Sequence, residues 1–172
     1  MPFTEYGPRD FLLLLKKRRR KLKFYNHMSA SEIKASIPDS IWNSYYKFCI
    51  ERNPWDRMIS FYYHATKGKE PRPTLAEFLD SPAPAALHRG GFGRYTIDGT
   101  VVADKICRYE DLSAELEIVR LHLGIPEPLA LPQAKGGFRQ DKRSYQEIYT
   151  PEQQDFITRQ FAREIELLGY RF

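Results

Sequence analysis

The sequence predicts an α/β fold organised on a short parallel sheet. Phe48-Cys49-Ile50 and Lys105-Ile-Cys-Arg-Tyr109 are short β-type runs of the kind used for buried strands. A helical repeat follows each of them: Met58, Phe61, Tyr62 and Ala65 after the first, Leu112, Leu116, Val119 and Leu123 after the second. Strand, helix, strand in this order calls for right-handed crossovers onto a parallel sheet. A length of 172 residues suits one domain with its own core, and 42% hydrophobic with 14% aromatic residues excludes a disordered chain.

Charge narrows the partners. Lys and Arg number 27 against 22 Asp and Glu, a net charge of +5, which favours nucleotides, sulfated sugars, nucleic acid or acidic lipid without choosing among them. No run approaches the roughly 18 apolar residues of a membrane span. Phe11 to Leu15 is far too short, and its basic cluster follows it, the wrong order for a secretory signal. A cytoplasmic protein is expected. In that reducing setting Cys49 and Cys107, each inside a predicted strand, read as small buried apolar groups, with no disulfide and no metal site.

Residues 1–23 form an arm ahead of a domain over 24–172. Asp10 can cap a helix through Phe11–Leu15 into Lys16–Lys23, where seven of eight positions are cationic. That run suits a polyanion; it equally suits a solvated helix end, since cations are favoured near a helix C-terminus. Ser29 with Glu32 is a capping box that opens a short helix ending before Pro38, with His27 on the loop just ahead. Ile41 to Tyr46 then leads into the first strand.

Past that strand, Asn53 can cap and Pro54 fits the first helical position, while Asp56 in the first turn suits the positive end of the dipole. A strand that delivers Arg52 beside a helix start makes a good anion site. Glu51, one residue earlier, requires a partner if buried. Further on, Thr74 and Glu77 form a second capping box, Ser81-Pro-Ala-Pro84 ends that helix, and Asp98-Gly99 is a hairpin turn. The glycines of His88-Arg-Gly-Gly-Phe-Gly-Arg94 lack the spacing of a dinucleotide fingerprint. Gly124 stops the second long helix, a proline-rich linker follows, and Thr150-Pro151 opens a final helix with Phe156, Phe161, Ile165 and Leu168 inward.

The run Arg52-Asn-Pro-Trp-Asp-Arg-Met-Ile-Ser60-Phe-Tyr resembles the 3′-phosphate-binding motif of sulfotransferases that use 3′-phosphoadenosine 5′-phosphosulfate (PAPS), in the branch that mostly sulfates carbohydrates. Tyr109-Glu-Asp-Leu112, Leu123-Gly-Ile125 and the closing Gly169-Tyr-Arg-Phe172 resemble later blocks of the same family, so the likeness spans about residues 24–172. It implies a P-loop-NTPase-like, three-layer fold with PAPS or adenosine 3′,5′-bisphosphate as cofactor and a carbohydrate as acceptor. By this resemblance Arg52 and Ser60 grip the 3′-phosphate, and Ser60 lies about 10 Å along the helix from Asn53, so the phosphate rests beside the first two turns. Arg139, Lys142 and Arg143, in the late basic segment, are implied to close over the nucleotide; the same loop also reads as simply solvated. Arg89 and Arg94 are implied to meet an anionic sugar. His27 is implied as the general base, since an alcohol needs its proton removed and a neutral imidazole suits that near neutral pH; a loop histidine bonded to backbone is the alternative.

The family opens with a strand and a Lys-x-Gly-Thr-Ser/Thr loop that cradles the 5′-phosphosulfate, and residues 1–45 contain no such run. The expectation is therefore an N-terminally truncated domain whose unpaired sheet edge invites homodimerisation. Loss of one preorganised donor costs about 10²–10³ in rate. Two functions stand side by side: sulfuryl transfer from PAPS to a carbohydrate hydroxyl, and a catalytically inactive module binding a nucleotide or anionic glycan. A polyanion contact through Lys16–Lys23 is the third.

Overall fold

The computed structural model describes residues 24–131, 139 and 141–172; the basic arm over 1–23 lies outside them. The first helix among the described residues is α1 (Ala30–Ser36), capped by Ser29 and Glu32 in a reciprocal capping box. Helix α2 (Asp39–Ser44) comes next, where the sequence was expected to run straight into a strand. Pro38 at its N-cap ends α1 and starts α2, and Trp42 is the side chain that α2 buries.

Strand β1 (Phe48–Glu51) leads into α3 (Pro54–Ala65), whose Asn53 cap accepts from the N–H groups of Trp55 and Asp56. Then come α4 (Leu75–Leu79) behind the Thr74–Glu77 box and α5 (Ala83–Arg89). Helix α5 corrects the expectation that Ser81–Pro84 only terminates structure. Prolines at helix entry lose no hydrogen bond there and preset φ, so they start a helix as readily as they stop one.

A 3₁₀ turn at Phe92–Arg94 precedes the hairpin β2 (Thr96–Ile97) and β3 (Thr100–Val101), which turns at Asp98 and Gly99 with φ of 51° and 77°. Strand β4 (Lys105–Arg108) runs into a 3₁₀ turn at Tyr109–Asp111 and α6 (Leu112–His122). The chain closes with a 3₁₀ turn at Tyr145–Glu147, α7 (Pro151–Gln160) and α8 (Ala162–Leu168). These last two replace the single helix expected: at Phe161 φ is −116° and ψ is 27°, which breaks the run while driving that ring to zero exposure.

β1 and β4 pair in parallel, Phe48 opposite Lys105 through Glu51 opposite Arg108, as the two helical repeats require. β2 and β3 pair antiparallel. The protein is thus a mixed α/β fold with a short parallel two-stranded sheet among helices. Its main core lies on α3: Trp55, Met58, Ile59 and Tyr62 pack with Phe78 and Leu79 of α4, Ile157 and Phe161, and the tail residue Tyr170. Leu116 and Val119 of α6 are buried, whereas Leu123, expected inward, is 45% exposed beyond the helix end. Phe48 and Ile50 leave one apolar face of β1 open, at 42% and 47% exposure. Among the described residues no helix is long and apolar enough to cross a membrane.

Candidate functional site

The junction of β1 and α3 gathers charged side chains from distant parts of the chain. Its backbone is fixed from three sides. Asn53 caps α3 through Oδ1, its N–H donates to Glu110 Oε1 at 2.7 Å, and its Nδ2 donates to the Tyr145 hydroxyl at 3.2 Å. Glu110 also accepts from Tyr170 at 3.0 Å, tying the exit of β4 to the tail. The Tyr145 ring stacks on Trp55 with centroids 6.4 Å apart, and Tyr149 donates to the Trp55 carbonyl at 2.8 Å. These contacts clasp the late segment over the first turn of α3, which brings Arg139 to it.

Asp56 is the centre of the cluster. Its Oδ2 accepts from Arg52 Nε at 2.8 Å and also from Arg52 Nη2, and its Oδ1 accepts from Arg139 Nη1 at 2.6 Å. The Arg52 guanidinium lies 4.6 Å over the Tyr109 ring. Arg139 uses its other donors on the segment itself, Nε to the Asp141 carbonyl at 2.8 Å and Nη2 to the Arg143 carbonyl. Arg143 pairs with Asp141 at 2.6 Å, and its hydrogen bonds hold that carboxyl down at about 2. Side-chain exposures of 25%, 22% and 20% for Arg52, Asp56 and Arg139 leave the cluster open at the surface. Ser60 follows Asp56 by four residues, so it occupies the same face of α3 one turn on, and it is partly buried.

A second, deeper cluster lies behind the first. Glu51 is 3% exposed and is paired with Arg57 Nη1, which answers its need for a partner and keeps it from competing for Arg52. Arg57 Nη2 faces Glu164 Oε1 at 3.7 Å, and His88 Nδ1 faces the same oxygen at 3.9 Å. Burial raises the Glu164 carboxyl above its ordinary value, against the pull of Arg57 and His88. Burial, then Glu51 and Glu164, raise the hydroxyl of Tyr95. Gly91 belongs to this packing: a Cβ there would stand 3.1 Å from Arg57 Nη2 and 3.4 Å from Glu164 Oε1.

The remaining sequence candidates disperse. His27 is exposed on a turn with φ of 66°, just ahead of the Ser29 cap, and among the described residues no hydrogen bond or ion pair joins it to Asp56 or Arg52. Lys142 and Arg143 lie on the clasped segment and are exposed, Arg143 turned to Asp141. Arg89 is exposed at the end of α5. Arg94 lines a separate cleft of about 290 Å³ walled by Ile33, Trp42, Tyr46, Cys49 and Tyr95. Cys49 and Cys107 are both free thiols, and burial, with help from Glu51, pushes Cys49 up to about 12, so it stays protonated. Asp56 as a shared acceptor and Glu164 as a buried acid are the functional groups that sequence reasoning missed. The four-residue spacing of Arg52 and Asp56 was the available signal for the first; nothing local marked the second.

Fold and site define a mixed α/β protein whose parallel strand pair ends in an arginine–carboxylate cluster at a helix start. The chain belongs to the same family as a protein of Archaeoglobus fulgidus described as an uncharacterized protein, with 32% identity over 107 residues that span 59% of this chain and 87% of that relative. No family model matches the chain, and no solved structure matches it.

Proposed function

We propose that this is a protein of the PAPS-dependent sulfotransferase type that binds the 3′-phosphate of an adenine nucleotide at the β1–α3 junction and serves transfer of a sulfuryl group to a carbohydrate hydroxyl. One observation supports it most: Arg52 and Arg139, 87 positions apart in the chain, converge on one oxyanion at the start of α3. Two guanidiniums with an exposed edge are the donor set that a phosphate requires, and Ser60 adds a hydroxyl one turn on. Tyr109 beneath Arg52 holds that guanidinium flat. The P-loop-like three-layer fold is part of the same proposal, supported by the parallel pairing of β1 with β4.

In the reaction, the sugar oxygen attacks sulfur as the bond from sulfur to the bridging phosphate oxygen breaks. Adenosine 3′,5′-bisphosphate leaves, and the hydroxyl proton passes to His27. The aromatic and basic cleft beside Arg94 suits the acceptor. Titration of adenosine 3′,5′-bisphosphate by calorimetry tests the binding half: wild type binds and Arg52→Ala loses at least about tenfold, as removal of a charged hydrogen-bond donor does. Labelled PAPS tests the chemistry: His27→Ala binds normally but transfers no label. Nucleotide binding with no transfer by wild type identifies a non-catalytic module, and no binding at all removes both readings.

A further inference from the structure

We propose that Arg57, His88 and Glu164 form a buried binding site for one internal water molecule, and that this water lets a single guanidinium serve two buried carboxylates. The site lies behind the β1–α3 junction, and the inference does not depend on the function proposed for that junction.

The hydrogen bonding of Glu164 carries it. The side chain is at zero exposure, and neither of its oxygens has a hydrogen-bond partner among the described residues. Around it Arg57 Nε and Nη2 and His88 Nδ1 are buried and likewise without one. Buried polar groups are bonded to protein or to ordered water, because a bare carboxylate in a dry interior is strongly unfavourable. Protein does not supply the bond. Nη2 and Nδ1 stand 3.7 and 3.9 Å from Oε1, beyond direct hydrogen bonding. Those are separations that one shared partner, about 2.8 Å from each atom, bridges.

The two side chains are held back from Glu164. Arg57 is tied through Nη1 to Glu51 and lies 5.0 Å over the Phe161 ring. The His88 ring meets the same Phe161 edge-on, with centroids 5.4 Å apart. Gly91 walls one side of the site, since a Cβ there would stand 3.1 Å from Nη2 and 3.4 Å from Oε1.

Chemistry then selects the occupant. It must accept from the Nη2 N–H and donate both to Oε1 and to Nδ1, with the His88 proton on Nε2. An anion is repelled by Glu51 and Glu164, and a cation by Arg57. Water meets these demands with about three bonds, the usual number for a buried molecule. Nη1 thus stays with Glu51 while the water carries the second contact to Glu164.

A crystal structure of wild type at high resolution is expected to show a density peak about 2.7–3.2 Å from Arg57 Nη2, His88 Nδ1 and Glu164 Oε1. Direct contact of either side chain with Glu164, or no peak between them, overturns the proposal, and this arm needs no variant. In solution, oxygen-17 relaxation dispersion counts long-lived internal waters. Glu164→Leu removes both acceptor oxygens and is expected to lower that count by one. An unchanged count in folded Glu164→Leu overturns the proposal as well.

Discussion

Glu164 is a carboxylate at zero exposure with one guanidinium at 3.7 Å and one imidazole at 3.9 Å, too far for either to hydrogen-bond it well. Desolvation therefore outweighs the pull of Arg57 and His88, and Glu51 nearby adds repulsion, so the folded-state value lies above the ordinary 4.5. The sign follows from linkage. A group that holds its proton more tightly when folded contributes stability below its unfolded value, and that contribution is lost as pH rises through the raised folded value. Glu164→Gln, a neutral isostere, is expected to remove this one contribution: the urea midpoint of wild type relative to that of the variant falls as pH climbs from 4.5, and near neutral pH the variant is the more stable of the two. A His88→Asn background for both keeps the facing imidazole out of the measurement. Parallel curves for the two proteins would contradict the assignment. None of this was visible in the sequence, because Glu51, Arg57, His88 and Glu164 meet only after four elements have packed.

Elements carrying their own end signals were legible, and elements depending on neighbours were not. Ser29 with Glu32 and Thr74 with Glu77 form the reciprocal boxes their spacing announced, and Asp98-Gly99 takes the positive φ values its turn requires. Helices α2 and α5 were missed: each is six or seven residues long, begins at a proline read as a stop, and is held by the packing of Trp42 or Pro84. Arg52 and Arg139 each stand out in the sequence as candidates for an anion, but the carboxylate that joins them does not, since Asp56 already has a local explanation at the dipole. The helix that carries the site, α3, depends most on Asn53. That side chain caps two N–H groups, donates to Tyr145 and is 6% exposed, so Asn53→Ala removes the cap and the clasp together. The expected loss is about 1–2 kcal/mol in chemical denaturation, toward the upper end for a cap. Nucleotide affinity falls with it as Arg139 is released from its position. Asn53→Ser restores the cap but is too short to reach Tyr145, so it recovers stability more fully than affinity. Equal recovery of both would mean the clasp is irrelevant to the site.

At the scale of the whole molecule, cations gather in two places that would use them differently. The β1–α3 junction offers a single excess charge on side chains about one-quarter exposed, suited to a small anion held by direct hydrogen bonds. Lys16–Lys23 offers seven cations in sequence, suited to a polymer. Salt tells the two apart. A mononucleotide carries no condensed counterion sheath, so its affinity at a half-buried site declines gently with ionic strength. Duplex DNA releases counterions, with a log–log slope of about −0.9 for each phosphate neutralised, so full engagement of the basic run approaches a slope of about −6. Replacing the seven cations of Lys16–Lys23 by glutamine is expected to abolish binding to DNA or heparin while leaving adenosine 3′,5′-bisphosphate affinity within about twofold. Arg52→Ala is expected to do the reverse. If one substitution removed both affinities, the protein would have a single continuous anion-binding surface, and the junction could no longer be treated as a nucleotide site in its own right.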